Sequence, residues 1–229
     1  MLIVLEGLDG AGKSTQVKKV REYLESAGRQ VEYVHFPQFD SPVFGSLIAE
    51  FLRGEFGSID MVHPKLVALL FAEERRVASH RIKGWLEEGR TVLLDRYVYS
   101  NIAFQCAKLS DEGEADRLAD WILETEFRSF AIPKPDVSLF LDVPFDFVKK
   151  SLESNRVGDD RAYLDGKEDI HEADIAFQSR VRKMYLECTR KDPDFIRVDC
   201  ADEQGGMGSP ELIFGRIRGY LDRKLNIGK

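Results

Sequence analysis

One stretch near the N-terminus has residue types and spacing that could do chemistry. Gly7-Leu8-Asp9-Gly10-Ala11-Gly12-Lys13-Ser14 fits the pattern GxxxxGK[ST] at every fixed position. Glycines let such a loop curl, so that successive N–H groups face phosphate oxygens. A helix starting at its end adds a partial positive charge. Lys13 is then placed for the β- and γ-phosphates of a nucleoside triphosphate, and Ser14 for Mg²⁺. Thr15 closes the candidate ATP-binding segment. The bland reading is a glycine-rich turn without a ligand. A strand before the loop and a helix after it, running towards Ala27, argue against that reading.

A second segment reads Leu93-Leu94-Asp95-Arg96-Tyr97. An apolar strand ending in a carboxylate is the usual second half of a Mg²⁺–triphosphate site, so Asp95 joins Ser14 as a candidate metal residue. Arg96 follows directly. A guanidinium at the carboxyl end of a central strand can grip a phosphoryl group with two parallel hydrogen bonds; the alternative is a surface ion pair. Asp9 projects from the phosphate loop towards the place where donor and acceptor phosphates meet. An acceptor phosphate is already ionised, so Asp9 is not expected to act as a general base. Phosphate loops of this kind serve GTPases, motor ATPases and kinases alike. No NKxD-type guanine motif occurs, and no DxxG follows the second or third strand.

The elements that must position these residues are legible. Apolar runs at 2–5, 31–36, 91–94, 137–141 and 195–198 read as strands, separated by stretches of helical period. Such alternation implies a parallel sheet with helices on both faces. Ser41-Pro42 reads as a helix start and Gly54 as its stop. Gly28 and Gly89 close two more helices. Pro133 and Pro135 bracket a loop before the fourth strand. Residues 155–167, NRVGDDRAYLDGK, break the pattern: they are charged, contain glycine and are poor in apolar residues. They read as a mobile surface loop between two helices.

Composition limits the remaining choices. The chain has 229 residues with 43% hydrophobic and 32% charged, suited to one α/β domain. A net charge of −7 argues against a nucleic-acid partner. Cys106, Cys188 and Cys200 are odd in number and widely spaced. They read as reduced, buried thiols of a cytoplasmic protein. The opening apolar run is too short for a signal peptide or a membrane span.

EGLDGAGKS, then Phe36-Pro37, then LLFAEERR at 69–76, then LDRYVYSNIAF at 94–104, resembles the thymidylate kinase family of P-loop nucleoside monophosphate kinases. The resemblance covers most of the chain. It implies a P-loop fold in three α/β/α layers with a five-stranded parallel sheet, as one kinase domain over 1–229 with a lid at about 155–168. It implies transfer of the γ-phosphate of ATP to dTMP, with Mg²⁺, in a homodimer. By similarity Phe71 stacks on the thymine ring, Arg75 bonds a thymine carbonyl oxygen, and Arg96 binds the dTMP phosphate. Ser100 and Asn101 line the base pocket. Phe104 sits where a 2′-hydroxyl would collide, and Phe36, with Phe39, closes the pocket. Read without the resemblance, Phe71 and Phe104 are core positions on helical stripes and Arg75 is a solvated helix residue.

The sequence also departs from the family. Some members carry an arginine after the loop aspartate; here it is Gly10, as in the group whose lid supplies the arginine. Arg161 and Arg156 are the candidates. The segment Asp169-Ile170-His171-Glu172 is expected to open the next helix, with Asp169 as its cap or as an organiser of the lid. Glu172 is a third candidate Mg²⁺ residue. Members often carry an arginine just after Pro37, where this chain has Gln38-Phe39. Two other readings stay open: a kinase for UMP or CMP, and a P-loop switch or ATPase with no acceptor. Apolar faces at 66–77 and 102–107 are candidate dimer contacts or core.

Overall fold

The computed structural model describes residues 1–154, 159–167, 169–172 and 174–225, of which 159–161 and 225 are described by their backbone alone. Among the described residues five strands form one parallel sheet: β1 (Leu2–Gly7), β2 (Val31–His35), β3 (Thr91–Asp95), β4 (Val137–Asp142) and β5 (Phe195–Asp199). Their order is β2-β3-β1-β4-β5. All four pairings are parallel. Every residue of β1, β3 and β4 is buried, which is why these strands read as nearly unbroken apolar runs. The outer strands β2 and β5 are half-buried and carry charge.

Among the described residues eight α-helices surround the sheet: α1 (Lys13–Ser26), α2 (Phe44–Leu52), α3 (Pro64–Glu87), α4 (Val98–Cys106), α5 (Glu112–Leu123), α6 (Phe145–Glu153), α7 (Ile175–Lys191) and α8 (Pro210–Leu225). The chain leaves β1 towards the β2 edge and leaves β3 towards β4. A crevice opens at the carboxyl ends of the strands where these connections part, which is the usual ligand position in such sheets. Among the described residues no helix is long and apolar enough to cross a membrane.

The expected strands are all present, and Gly28, Gly54 and Gly89 follow the ends of α1, α2 and α3 with φ of 76°, 73° and 77°. The three cysteines are buried and unpaired. One expectation needs correction, and two open alternatives are narrowed. α2 starts at Phe44 and not after Ser41. Val43 has φ 67° and ψ −67°, and Phe44 N–H donates to Pro42 O at 2.9 Å in a three-residue turn. The cause is tertiary: a Cβ on Gly45 would lie 2.3 Å from Gln38 O, so the start of α2 is pressed against the segment after β2. Second, every residue of α4 is buried, so 102–107 is core and not a surface for a second copy. Third, Asp169 does not cap α7; Asp174 does, accepting from Phe177 N–H at 3.0 Å. The expected lid is described only in part. Arg156, and the side chain of Arg161, lie outside the described residues. Within that segment Asp159–Leu164 forms a 3₁₀ turn whose Leu164 is buried.

Two apolar clusters follow. The larger one fills the space between the sheet and its helices. The smaller one joins Ile48, Phe51 and Leu52 of α2 to Val67 of α3, with Phe39, Phe71, Tyr163 and Ile170 packed on it. It forms one wall of the crevice.

Candidate active site

β1 delivers the phosphate loop. Gly10 and Gly12 hold φ of 71° and 72°, which only glycine adopts at little cost. Gly12 is the N-cap of α1 and has no side chain to satisfy the first N–H groups, so these remain for an anion. Lys13 folds back with its Nζ donating to Leu8 O at 3.0 Å. Burial, then the nearby Arg96 charge, pull its ammonium down to about 8. A Cβ on Gly10 would lie 2.7 Å from Ser151 Oγ on α6, so α6 occupies the room a larger residue would need there.

β3 delivers Asp95 and Arg96. Arg96 sits at φ 67°, a left-handed conformation unfavourable for a residue with a Cβ. Its N–H donates to Leu5 O at 2.9 Å, which fixes the turn across to β1. The guanidinium donates from Nη2 to Asp9 Oδ1 at 2.6 Å and from Nη1 to Gly7 O at 2.9 Å. Gln178 Nε2 of α7 donates to the other Asp9 oxygen at 2.9 Å. Burial pushes the Asp9 carboxyl up, but Arg96 and then Lys13 outweigh it, so Asp9 stays ionised below the usual range. The ring of Phe104 lies 5.1 Å from Arg96 Cζ, a cation–π contact. Arg96 is thus a hub between the phosphate loop and α4.

That hub rests on Glu6, a carboxylate inside the central strand. Glu6 accepts from the N–H groups of Tyr97 (3.0 Å) and Ser100 (3.2 Å) and from the Ser100 hydroxyl. It caps the first turn of α4 from another element, the role a local Ser or Asp usually plays. Burial raises the Glu6 carboxyl. Ser100 Oγ is within 3.2 Å of Arg96 Nη1 and 2.7 Å of Tyr185 O–H. Ser100 therefore touches the arginine directly, as well as bordering the cleft.

The acceptor half of the cleft continues from Arg96. A cavity of about 350 Å³ is lined by residues 9–14, by Asp95 and Arg96, and by Phe36, Phe39, Phe71, Arg75, Ser100, Asn101 and Phe104. Glu172, Tyr163, Asp169 and His171 also line it. Gly7, Leu8 and Thr15 flank the cleft and do not line it. Phe39 stacks on Tyr163 with ring centroids 3.7 Å apart, and Tyr163 O–H donates to Asp169 at 2.5 Å. Asp169 thus fastens the described part of the lid segment to the cleft wall. Burial, then the Asp9 charge, push its carboxyl up to about 7. His171 is buried against Phe51, Phe104 and Phe177, and burial holds it well below its ordinary value, as a neutral ring. Gln38 faces outward and accepts from Arg81 at 2.8 Å, so the departure after Pro37 is real in space. Among the described residues, Arg75 and Arg96 are the arginines that line the cleft.

Arg75 is not solvated. It is 2% exposed and makes a bidentate ion pair with Glu126, at 2.6 and 2.7 Å. Sequence reading missed Glu6, Tyr163, Gln178 and Glu126. A charged residue inside an apolar strand was a signal for Glu6. Nothing local marks Glu126, which lies 51 residues from Arg75 in the chain.

As a test of fit for Mg²⁺, Asp95 is 5% exposed and its Oδ1 has no partner in the protein. A buried unpaired carboxylate oxygen is costly unless a cation or water meets it. Ser14, Asp95 and Glu172 line one cleft and offer hard oxygen atoms, the donor type Mg²⁺ prefers. The donor atoms are of the type Mg²⁺ takes, while among the described residues no group of three or more His, Cys, Asp or Glu side chains converges on one metal position.

A glycine phosphate cradle at one end of a cleft, an arginine hub at its middle and an aromatic chamber at the other define a P-loop phosphotransferase. Comparison with known proteins is specific. The family model described as thymidylate kinase matches residues 5–205. A thymidylate kinase of Mycobacterium tuberculosis is 36% identical over 82% of this chain and 85% of its own length. A probable thymidylate kinase of Thermococcus kodakarensis is 35% identical over 89% of this chain and 91% of its own. The solved thymidylate kinase of Candida albicans superposes with a TM-score of 0.72 at 28% identity, covering 98% of this chain and 92% of that one. The chain belongs to the thymidylate kinase family.

Proposed function

We propose that this protein transfers the γ-phosphate of ATP to dTMP, giving dTDP and ADP. The observation that carries the reading is the Arg96–Asp9 ion pair between the phosphate loop and the aromatic chamber. ATP lies along residues 7–15, with Lys13 on its outer phosphates. The acceptor base enters between Phe71, Phe36 and Phe39, and its phosphate reaches Arg96. Asp9 holds Arg96 in place, and the left-handed backbone aims the guanidinium inward. The nucleophile is already an anion, so these residues act by positioning and charge neutralisation. Ser14, Asp95 and Glu172 are the residues that would hold Mg²⁺, which would neutralise charge on the transferring group. Phe104 packs against Arg96 and narrows the sugar end of the chamber. Arg161 or Arg156 would add positive charge from the lid, since Gly10 leaves the loop without an arginine.

The protein is read as cytoplasmic, in keeping with its buried thiols. A homodimer is read from α3, where Leu66, Leu69 and Val77 are exposed on one face. A monomer mass by light scattering would remove that reading.

The function is tested by ADP release with ATP and Mg²⁺ over dTMP, dUMP, UMP, CMP, AMP and GMP. Strong preference for dTMP is expected, with UMP excluded. Turnover spread over ribonucleotides would overturn the acceptor, and acceptor-independent ADP release would overturn the kinase.

A further inference from the structure

Asn101 is 3% exposed, and its amide has an unusual balance. Its Nδ2 donates to Ala68 O at 2.9 Å and to Glu126 Oε1 at 3.0 Å. Both amide hydrogens are used. The two acceptors also decide which way the amide faces, because its own oxygen cannot stand where two other oxygens already point. Asn101 Oδ1 is left buried without a partner in the protein. An orphaned acceptor on a residue lining the cleft calls for a donor from the ligand.

The same carboxylate sets Arg75. Glu126 takes Nε–H and one Nη2–H, which leaves both Nη1 hydrogens and the second Nη2 hydrogen. Glu126 is fully buried and lies on a π-helical turn, Glu124–Ser129, that follows α5. Turns of this type often occur at functional sites. The cleft wall therefore offers one acceptor beside a cationic donor. Thymine and uracil present the complement, an N3–H and a C4 carbonyl. Cytosine presents a lone pair at N3 and an amino group at C4, wrong for both.

We infer that Glu126 is the positioning residue that makes the acceptor site select a keto pyrimidine over an amino pyrimidine, by locking the Asn101 amide and the Arg75 guanidinium in one orientation. The inference rests on the dTMP reading and goes beyond it, because Glu126 selects the base at one remove. A purely structural ion pair would influence every acceptor alike.

The test compares dTMP with 5-methyl-dCMP, which keep the same methyl and sugar and differ only at N3 and C4. The intact chain should prefer dTMP by about a hundredfold or more in kcat/KM, as expected when buried polar groups would be left mispaired. In Glu126→Gln the amide oxygen can still accept from Arg75 Nη2 and Asn101, but an NH2 replaces the oxygen that takes the Arg75 Nε–H, so donor faces donor and the bidentate lock on the guanidinium is lost. dTMP should lose about tenfold or more, mainly in KM, and the dTMP to 5-methyl-dCMP ratio should narrow by about fivefold or more. Glu126→Asp retains two acceptor oxygens and should restore part of the ratio; it also serves if Glu126→Gln does not fold. Equal slowing of both substrates with an unchanged ratio would overturn the inference and leave the kinase standing. An intact chain that uses both substrates equally would also overturn it. An intact chain inactive on dTMP would sink the dTMP reading on which the inference rests, which the acceptor series shows separately.

Discussion

The two halves of the cleft are built in different ways. The donor half is one contiguous loop whose working groups are backbone N–H atoms, aimed by the φ values of Gly10 and Gly12, joined by the side chains of Lys13 and Ser14. The acceptor half collects side chains from α3, α4, α7 and a π-helical turn, and carboxylates fix their poses: buried Glu6 behind Ser100, partly exposed Asp9 behind Arg96, buried Glu126 behind Arg75. A backbone cradle needs few particular side chains and recognises any triphosphate. A side-chain chamber depends on each pair, and that is where selectivity can reside.

Removing one member from each half breaks the contrast most directly. Lys13→Ala should lower kcat by about 10³-fold, as loss of a donor aimed at transferring charge does, while dTMP binding measured by calorimetry stays within a few-fold. Loss of dTMP binding in that variant would mean that the halves are not separable. Phe71→Ala should cost about 1–3 kcal/mol of base stacking, read as a rise in dTMP KM with little change in the KM for ATP. An unchanged dTMP KM would place the base elsewhere.

The smallest effect sharpens the picture of the donor half. Lys13 is drawn down to about 8 in the free protein, against 10.5 for an unperturbed lysine. Above pH 8 it is partly neutral, and a bound triphosphate would restore its charge. ATP binding should then take up about half a proton or more near pH 8.5, and affinity should fall as pH rises past 8. Calorimetry in buffers of different ionisation enthalpy reads the uptake. Zero uptake would mean that Lys13 is already fully charged.

The legibility of each half follows from its construction. The phosphate loop lies in consecutive residues with fixed glycines, so the spacing alone named it. The strands were plain because β1, β3 and β4 are covered on both faces. Arg75 reads as a solvated residue on an exposed helix, since its partner is 51 positions away and no local pattern points to Glu126. Ser41 misplaced the start of α2 because the contact that delays it, Gly45 against Gln38, is tertiary. Asp169 reads as a helix cap by type, but its carboxylate is taken by Tyr163 and by His171 N–H, so Asp174 caps α7.

The left-handed backbone of Arg96 has an evolutionary consequence. An L-residue there costs roughly 1–2 kcal/mol that glycine would avoid. In the free protein the ion pair with Asp9 and the bond to Gly7 O offset that cost, and under the proposed function the same guanidinium also serves the acceptor phosphate. In any lineage that keeps the fold but abandons the chemistry, position 96 should be among the first to relax, which makes it a marker for separating working members from decayed ones.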